Sequence, residues 1–510
     1  MKINIFKKSA SVTGLVLVLF FLATAGVKAQ EIPIRLDSLF TDLVKNNEFN
    51  GNVLVSANGK IMYQHSFGFA DAEHQLLNSE QTAFNLASVS KVFTAVAILQ
   101  LKQKGKLSID DPYVKYFPDF PWPAITLRQL LSHTSGLPDN QIFEKPYQEN
   151  PNTIYTLNDL IPAFKNDKRG LLFKPGEKYS YSNTGFGLLA LLVEKRSGMN
   201  FQDYLKKYIF RPAGMAHTYI ETPLIPVADP DRAVRYEFIS YAPARLKRVD
   251  SVKKDHISAV ILGAILGPDC VVSTAGDLFK FDQALYSGKL LKPEILEEAF
   301  RPASLNNGEK VVMGWANTVS YYGLGWMILC DSTYGKVVWH SGGDPGEVTV
   351  FLRNITRKQT IIVLDNVTHR GLHPEGVNAF YILNGGPILT FKKSLALAYA
   401  KQLQEKGTDA AAVLFNELKT DTAHYYPMNE KELNGMCYDM LDDGYTAEAL
   451  EALKINTFLF PDSWNAYDSY AEVLAKIGKK EEAIAMYKKS IAINPGNQGG
   501  KNALKRLETK

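Results

Sequence analysis

Ser88 and Lys91 lie three residues apart in the tetrapeptide Ser-Val-Ser-Lys. On a helix, positions i and i+3 share a face, so the Lys91 amine can reach the Ser88 hydroxyl. A serine hydroxyl is a weak nucleophile until a neighbouring base removes its proton. Backbone N–H groups at the start of a helix also stabilise negative charge. The spacing therefore predicts an activated serine that attacks a carbonyl.

The same Ser-x-x-Lys pattern recurs at residues 251–254, so the spacing alone is weak evidence. Context separates the two copies. Ser88 opens a long apolar helix, predicted over 88–104, as a buried site requires. Ser251 lies in a polar run, which is typical of a solvated surface.

Tyr181 and Asn183 form a Tyr-x-Asn between a Pro-Gly turn and an apolar helix predicted to begin near Phe186. Two interpretations are open. In one, Asn183 caps that helix. In the other, Tyr181 shuttles protons and Asn183 donates a hydrogen bond to the amide of a substrate.

His340, Ser341, Gly342 and Gly343 end an apolar strand. Small residues at a strand edge allow a substrate to lie alongside and pair with the backbone. The alternative is a neutral histidine buried for packing. A second His-x-Gly occurs at 369–371, so this triplet is also weak evidence by itself.

The three motifs occur in the order that characterises the penicillin-recognising serine hydrolases. Over roughly residues 33–385 the chain resembles the class C β-lactamase-like branch, which includes D,D-peptidases, D-aminopeptidases and esterases. Further stretches carry the resemblance: 84–91 (FNLASVSK), 107–112 (LSIDDP), 130–138 (LLSHTSGLP), 212–215 (PAGM) and 272–278 (VSTAGDL).

The resemblance implies a mixed α/β fold, an antiparallel sheet flanked by helices with an inserted helical subdomain at about 110–255. It implies that Ser88 forms an acyl-enzyme while Lys91 and Tyr181 manage its proton; which of the two is the general base stays open. The backbone N–H groups of Ser88 and Gly343 would form the oxyanion hole.

The resemblance also implies that Asn183, His340, Ser341 and Gly342 bind substrate. Many β-lactamases of this branch have lysine where this chain has His340. A histidine is mostly neutral at pH 7, so we expect weak β-lactam hydrolysis. We also expect any preference for substrates with a free carboxylate to weaken as pH rises through the pKa of His340.

Hydrophobic periodicity predicts the elements that position these residues. A helix is expected over 34–45, then strands 52–57 and 60–67 joined by an Asn-Gly turn, the strongest short hairpin signal. From about residue 322 the pattern changes to successive short strands: 323–329, 336–340, 348–354 and 359–365. Because strands are predicted near the beginning and near the end of residues 33–385, we expect strands from both ends to pair in one sheet.

The C-terminal part, residues 390–510, is helical in pattern and repeats every 34 residues. Gly444, Ala449 and Pro461 recur as Gly478, Ala483 and Pro495. This period resembles tetratricopeptide repeats. Two repeats are clear, at about 427–460 and 461–494, and such a module predicts binding of a protein or peptide partner or a purely structural extension.

The amino-acid composition limits which class of protein this chain can belong to. Of 510 residues, 46% are hydrophobic and 57 Lys+Arg face 53 Asp+Glu, which excludes a disordered chain. Residues 1–29 read as a signal peptide for export to the periplasm or medium, with an uncleaved anchor as the alternative. These residues hold four lysines and no acidic residue, so the rest of the chain has 53 basic and 53 acidic residues. This balanced charge predicts no binding of nucleic acid, and no binding of a membrane beyond the leader.

Three cysteines form no disulfide framework, although one disulfide would fit an oxidising compartment. The chain has no CxxC and no HExxH, so we expect no metal and no cofactor.

Two functions remain: a serine hydrolase that acts on a small-molecule or peptide amide or ester, or an inert scaffold whose repeats bind a partner. The intact Ser88, Lys91, Tyr181 and Asn183 favour the hydrolase.

Overall fold

The computed structural model describes residues 31–241, 244–252, 261–315, 318–331, 333–368 and 374–509. The predicted leader and the second His-x-Gly at 369–371 lie outside the described residues. The chain forms two compact units: one runs up to Glu237 and includes Arg248–Ile388, and the other comprises Phe238–Lys247 and Leu389–Lys510. None of the described helices has both the length and the apolar composition needed to cross a membrane.

The strands are named in chain order. They are β1 Gly51–Ala57, β2 Lys60–Ser66, β3 Phe69–Asp71, β4 Leu76–Leu77, β5 Phe84–Asn85, β6 Tyr219–Ile220, β7 Tyr236–Tyr241, β8 Ala244–Arg248, β9 Val271–Ser273, β10 Val312–Trp315, β11 Thr318–Tyr322, β12 Met327–Asp331, β13 Gly335–Asp344, β14 Glu347–Asn354, β15 Gln359–Asp365, β16 Val367–Thr368, β17 Lys393–Ser394 and β18 Tyr425–Tyr426.

The helices are named in the same way. They are α1 31–45, α2 Ser90–Gln103, α3 Leu127–Leu131, α4 Glu144–Glu149, α5 Leu160–Asn166, α6 Asn183–Ser197, α7 Phe201–Leu205, α8 Arg211–Ala213, α9 Ala275–Tyr286, α10 Pro293–Ala299, α11 Pro374–Leu383, α12 Leu395–Leu418, α13 Glu430–Asp442, α14 Thr446–Leu459, α15 Trp464–Lys476, α16 Lys480–Ile493 and α17 Gln498–Glu508.

The main sheet of the first unit has the order β10-β11-β12-β13-β14-β15-β1-β2, with antiparallel neighbours throughout. Strand β1 from the beginning of the unit pairs with β15 from near its end, which confirms the prediction of a sheet completed from both ends. The predicted hairpin is also present. Asn58 and Gly59 both have positive φ, at 51° and 73°, as a tight two-residue hairpin turn requires.

The sheet is covered on both faces because successive side chains of a strand point to opposite sides. Leu54 of β1 packs in the core that contains α2 and α9. Its neighbours Val53 and Val55 pack in a second core with Leu36 and Phe40 of α1 and with residues of α11. The result is the predicted antiparallel sheet flanked by helices.

Helix α2 is the centre of the first unit. Every residue from Ser90 to Leu101 is buried, so this helix is buried on all sides and has no solvent-facing polar stripe. Between β5 and β9 the chain adds the helices α3 to α8 and long loops. Helix α6 packs against α2. The Ser-x-x-Lys at the start of α2 and the Tyr-x-Asn at the start of α6 are therefore brought together.

Strands β10 and β11 are absent from the sequence predictions, and β13 extends four residues beyond the predicted end at His340. Gly342 and Gly343 are unfavourable in isolated strands. Pairing with β14 nevertheless continues to Asp344 opposite Glu347, so tertiary context overrides local preference here.

The second unit is helical. Helices α15 and α16 repeat the bounds of α13 and α14 with a displacement of 34 residues, and α17 begins 34 residues after α15. Gly444 and Gly478 end the first helix of each pair with φ of 87° and 82°. Gly407, with φ of 82° and ψ of −178°, interrupts α12.

A buried ion pair ties α9 to the sheet. The Arg353 guanidinium of β14 donates to the Asp282 carboxylate, which also accepts from the Thr360 hydroxyl at 2.9 Å. Arg353 stacks over the Tyr286 ring at 4.0 Å. Burial raises the pKa of Asp282 to about 6, although Arg353 opposes that shift. Removing one partner therefore leaves an uncompensated charge in the core.

We predict that Arg353→Met lowers the free energy of unfolding by about 3 kcal/mol, because Asp282 loses its counter-charge. The double variant Asp282→Leu with Arg353→Met should recover most of that loss. Denaturant unfolding of the full chain, followed by tryptophan fluorescence, measures both. A double variant no more stable than the single one would show that the pair does not act as a unit.

Candidate active site

Ser88 lies on a tight turn rather than in a regular helix. Residues Ala87–Val89 form one turn of 3-10 helix that leads into α2, and Ser88 is partly exposed. Ala87 has φ of 45°, which is uncommon for a residue with a side chain. Its N–H donates to Asn85 Oδ1 at 2.9 Å, and the Leu86 N–H donates to the Val271 carbonyl at 2.8 Å. These contacts hold the strained turn that presents the hydroxyl.

Lys91, the second residue of α2, is fully buried. Its Nζ donates to Ser88 Oγ at 2.8 Å, to Asn183 Oδ1 at 2.8 Å and to the Pro268 carbonyl at 3.0 Å. An ammonium has three N–H donors, and here each has one acceptor. The predicted contact between the two motif residues is therefore present.

Two pKa shifts set the proton chemistry. Burial lowers the pKa of Lys91 to about 8, although Asp269, Asp139 and Asp344 act in the opposite direction. Desolvation raises the pKa of Tyr181 well above its ordinary value, and a hydrogen bond with Ser88 offsets only part of that rise. The Lys91 amine is thus the easier of the two groups to deprotonate near neutral pH.

Asn183 is the first residue of α6, and Ser182 is its N-cap. Ser182 Oγ accepts from the Gly185 N–H at 3.2 Å, so the interpretation of Asn183 as the cap is wrong, and the helix begins three residues before Phe186. The Asn183 amide instead accepts from Lys91 and donates from Nδ2 to Asp139 Oδ2 at 3.1 Å. Asn183 therefore orients the lysine, a role beyond the predicted contact with substrate.

Asp139 is a site residue that the motif search missed. Besides the Asn183 side chain, its Oδ1 accepts from the backbone N–H groups of Asn183 at 2.7 Å and Thr184 at 3.0 Å. A carboxylate at the start of α6 also interacts favourably with the helix dipole. Its position directly after the 130–138 stretch was the signal that could have identified it.

Gly342 allows β13 to pass against the nucleophile turn. A Cβ on this residue would lie 2.3 Å from the Leu86 carbonyl and 2.9 Å from the Ala87 Cβ. Gly343 is exposed, and a Cβ there would meet nothing within 4 Å. The strand therefore contacts the turn at Gly342 and is accessible to solvent at Gly343. Ser341, next to Gly342, is partly exposed.

The His340 ring lies near Tyr181, with ring centroids 6.4 Å apart. The His340 side chain is fully buried, with Nε2 3.1 Å from the Tyr322 hydroxyl and Nδ1 2.7 Å from the Ser341 carbonyl. Substrate contact through His340, and the carboxylate preference that depends on its titration, therefore stay predictions, although in this structure the ring is buried. The physical reason is that β11 supplies Tyr322 as a buried partner.

The serine of the second Ser-x-x-Lys lies at the surface. Ser251 is exposed in a turn, where its hydroxyl donates to the Arg248 carbonyl at 2.7 Å, as the prediction of a solvated surface requires. Cys270, Cys330 and Cys437 are free thiols, so the single disulfide considered from sequence does not form in this structure.

Three carboxyl groups that could hold a cation, Asp269, Asp344 and Glu347, cluster beside the cleft, with their oxygens within 4.8 Å of one another. Burial and the hydrogen bond to Asp269 raise the pKa of Asp344 well above its ordinary value. The Arg235 guanidinium lies 3.5 Å from Glu347. The Arg232 guanidinium lies 3.7 Å from the same carboxylate. A retained proton and two guanidinium groups therefore offset the charge of the three carboxyl groups.

Comparison with known proteins agrees with this geometry. The chain is 36% identical to a penicillin-binding protein of Bacillus subtilis over 333 residues, covering 65% of this chain and 71% of the relative. The structure of a penicillin-binding protein from Bacillus halodurans matches with a TM-score of 0.56 at 27% identity, covering 69% of this chain and 98% of that one. A D-amino acid amidase from Ochrobactrum anthropi shares the fold, with a TM-score of 0.54 at 24% identity over 70% of this chain and 99% of that one.

The model of the β-lactamase family matches residues 36–381, which is more than half of the chain. That region holds all three motifs and the buried lysine. The protein therefore belongs to the β-lactamase family and is a serine hydrolase of the acyl-enzyme type.

Proposed function

We propose that this protein is an exported serine hydrolase that cleaves an amide or ester bond through an acyl-enzyme on Ser88. The observation that carries the proposal is the placement of Lys91 Nζ, 2.8 Å from Ser88 Oγ and inside the protein. The leader supports export to the periplasm or medium. Among the similar proteins, the D-amino acid amidase supports an amino acid amide as the substrate class.

We further propose Lys91 as the general base. Asn183 Oδ1 and the Pro268 carbonyl can only accept hydrogen bonds, so two amine hydrogens must point to them. When Lys91 loses its third proton, the lone pair therefore faces the Ser88 hydroxyl. Its lowered pKa makes this neutral form accessible near pH 8.

The reaction then proceeds in two steps. Ser88 Oγ attacks the carbonyl carbon while its proton moves to Lys91, and the oxyanion is held by the N–H groups of Ser88 and Gly343. The C–N or C–O bond breaks, and the leaving group takes the proton held by Lys91, which passes through the neutral Tyr181 phenol. Water then attacks the ester carbonyl on Ser88 and gives a proton to Lys91. The bond between Ser88 Oγ and the acyl carbon breaks, Ser88 Oγ takes the proton back from Lys91, and the acid leaves.

For the second unit we propose tetratricopeptide repeats that bind a protein or peptide. The support is the displacement of α15 and α16 from α13 and α14 by the period of that repeat. A hydrogen bond joins the first helices of the two repeats: the Tyr438 hydroxyl of α13 donates to the Glu472 carboxylate of α15, 34 residues away, at 2.8 Å.

We predict that Ser88→Ala abolishes covalent labelling by a fluorophosphonate, because no other side chain holds the nucleophile position. Ser251→Ala is the matched control, since it removes the serine of the second Ser-x-x-Lys, and it should label as the wild type does. Mass spectrometry of the labelled peptide identifies the site. Labelling that survives in Ser88→Ala would refute the assignment.

We predict that the rate of acylation rises about tenfold per pH unit below pH 8 and levels off above it, because only the neutral amine of Lys91 accepts the proton. Lys91→Arg should be inactive at every pH, since a guanidinium stays charged. Stopped-flow acylation between pH 5.5 and 10 tests this. If Tyr181→Phe abolished acylation while Lys91→Ala kept the wild-type rate, the base would be Tyr181.

We predict that D-amino acid amides or short esters, which carry no carboxylate, are hydrolysed faster than D-Ala-D-Ala peptides and a chromogenic cephalosporin, which both carry one. That carboxylate finds buried His340, not a lysine, at the β13 position. Purified full-length protein is assayed on all four classes, with Ser88→Ala as the blank. Fastest turnover of the cephalosporin or of the D-Ala-D-Ala peptide would contradict this expectation.

A further inference from the structure

A buried chain of hydrogen bonds connects the two walls of the cleft. The Ser182 N–H donates to His133 Nδ1 at 3.1 Å, and His133 Nε2 lies 3.1 Å from the Tyr322 hydroxyl. The same hydroxyl lies 3.1 Å from His340 Nε2, and His340 Nδ1 lies 2.7 Å from the Ser341 carbonyl. The chain thus begins between Tyr181 and Asn183 and ends on the strand that carries Gly343.

The direction of every proton in this chain follows from its two ends. A backbone N–H can only donate, so His133 Nδ1 is an acceptor and carries no hydrogen. Burial, Lys91 and His340 hold the pKa of His133 well below its usual range, so the ring is neutral with its hydrogen on Nε2. At the other end a carbonyl can only accept, so His340 carries its hydrogen on Nδ1. With the His340 ring neutral, Tyr322 accepts from His133 and donates to His340.

His133 also holds the backbone on both sides of Tyr181. Its carbonyl accepts from the Ser180 N–H at 2.9 Å, while its ring accepts from the Ser182 N–H. The ring centroids of His133 and Tyr181 are 4.2 Å apart. His133 keeps φ of 56°, a conformation that a residue with a side chain adopts at a cost, and one that clusters at functional sites.

We propose that His133 and Tyr322 are positioning residues that hold Tyr181 and the strand segment from His340 to Gly343 in fixed register across the cleft. The proposal rests on the proposed function, because the register matters only if Tyr181 passes a proton and Gly343 holds an oxyanion. Neither residue touches the reacting atoms. Their effect is on geometry, and a small misplacement of reacting groups is costly in rate.

The first test compares two buried tyrosines. Tyr322→Phe removes the hydroxyl that joins the two histidines, and Tyr113→Phe removes a buried hydroxyl that donates to the Leu188 carbonyl at 3.0 Å, away from the chain. We expect Tyr322→Phe to slow acylation by a fluorophosphonate about tenfold, and Tyr113→Phe to stay within about twofold of the wild type. Thermal unfolding of both variants measures the stability loss separately from the rate. Equal acylation rates in the two variants would overturn the proposal.

The second test needs neither a variant of Tyr322 nor activity. Nitrogen-15 NMR of histidine-labelled wild-type protein at pH 7 should show opposite neutral tautomers, with the hydrogen on Nε2 of His133 and on Nδ1 of His340. Loss of signals in His133→Asn assigns the peaks. The same tautomer for both rings, or a charged ring, would refute the chain. Absence of any acylation in the wild type would instead refute the proposed function, and the tautomers would still report on the chain.

Discussion

The structure depends on one buried ammonium group. Lys91 lies inside the protein, and removing its charge from water is costly unless each N–H finds an acceptor. The three acceptors come from three separate segments: Ser88 on the turn before α2, Asn183 at the start of α6, and Pro268 in the loop before β9. Each segment must therefore be in place for the lysine to be tolerated. The same desolvation lowers its pKa, so the group that is expensive to bury is also the one prepared to accept a proton.

The walls of the cleft depend on close backbone contact rather than on charge. Strand β13 can reach the nucleophile turn only because Gly342 lacks a side chain, and the Thr349 hydroxyl of β14 secures the same turn by donating to the Leu86 carbonyl at 2.8 Å. His340, on the same strand, is buried and bonded to Tyr322. His340 is therefore held by packing and hydrogen bonding. Beyond it on the same strand, Ser341 and Asp344 are partly exposed and Gly343 is exposed.

Much of the fold could be predicted from hydrophobic periodicity. The hairpin of β1 and β2, the long helix after Ser88 and the strands β14 and β15 all have strong local signals, and Gln359–Asp365 matches its prediction residue for residue. Strands β10 and β11 were missed because they are only four and five residues long. That omission hid Tyr322, and with it the reason that His340 is buried. Asp139 and His133 were missed as site residues because their roles depend on contacts with segments about 45 to 50 residues away.

The sequence by itself determined which chemistry is available: a serine and a lysine one helical turn apart, a Tyr-x-Asn, and a strand that ends in glycines. Those properties are local, since they depend on residue type and on spacing along one element. Only the tertiary structure decided which groups meet: that Asn183 and Pro268 take two hydrogens of Lys91, that Ser182 rather than Asn183 caps α6, and that His340 turns inward. These outcomes depend on burial and on partners distant in the chain, and a pattern of neighbouring residues contains neither.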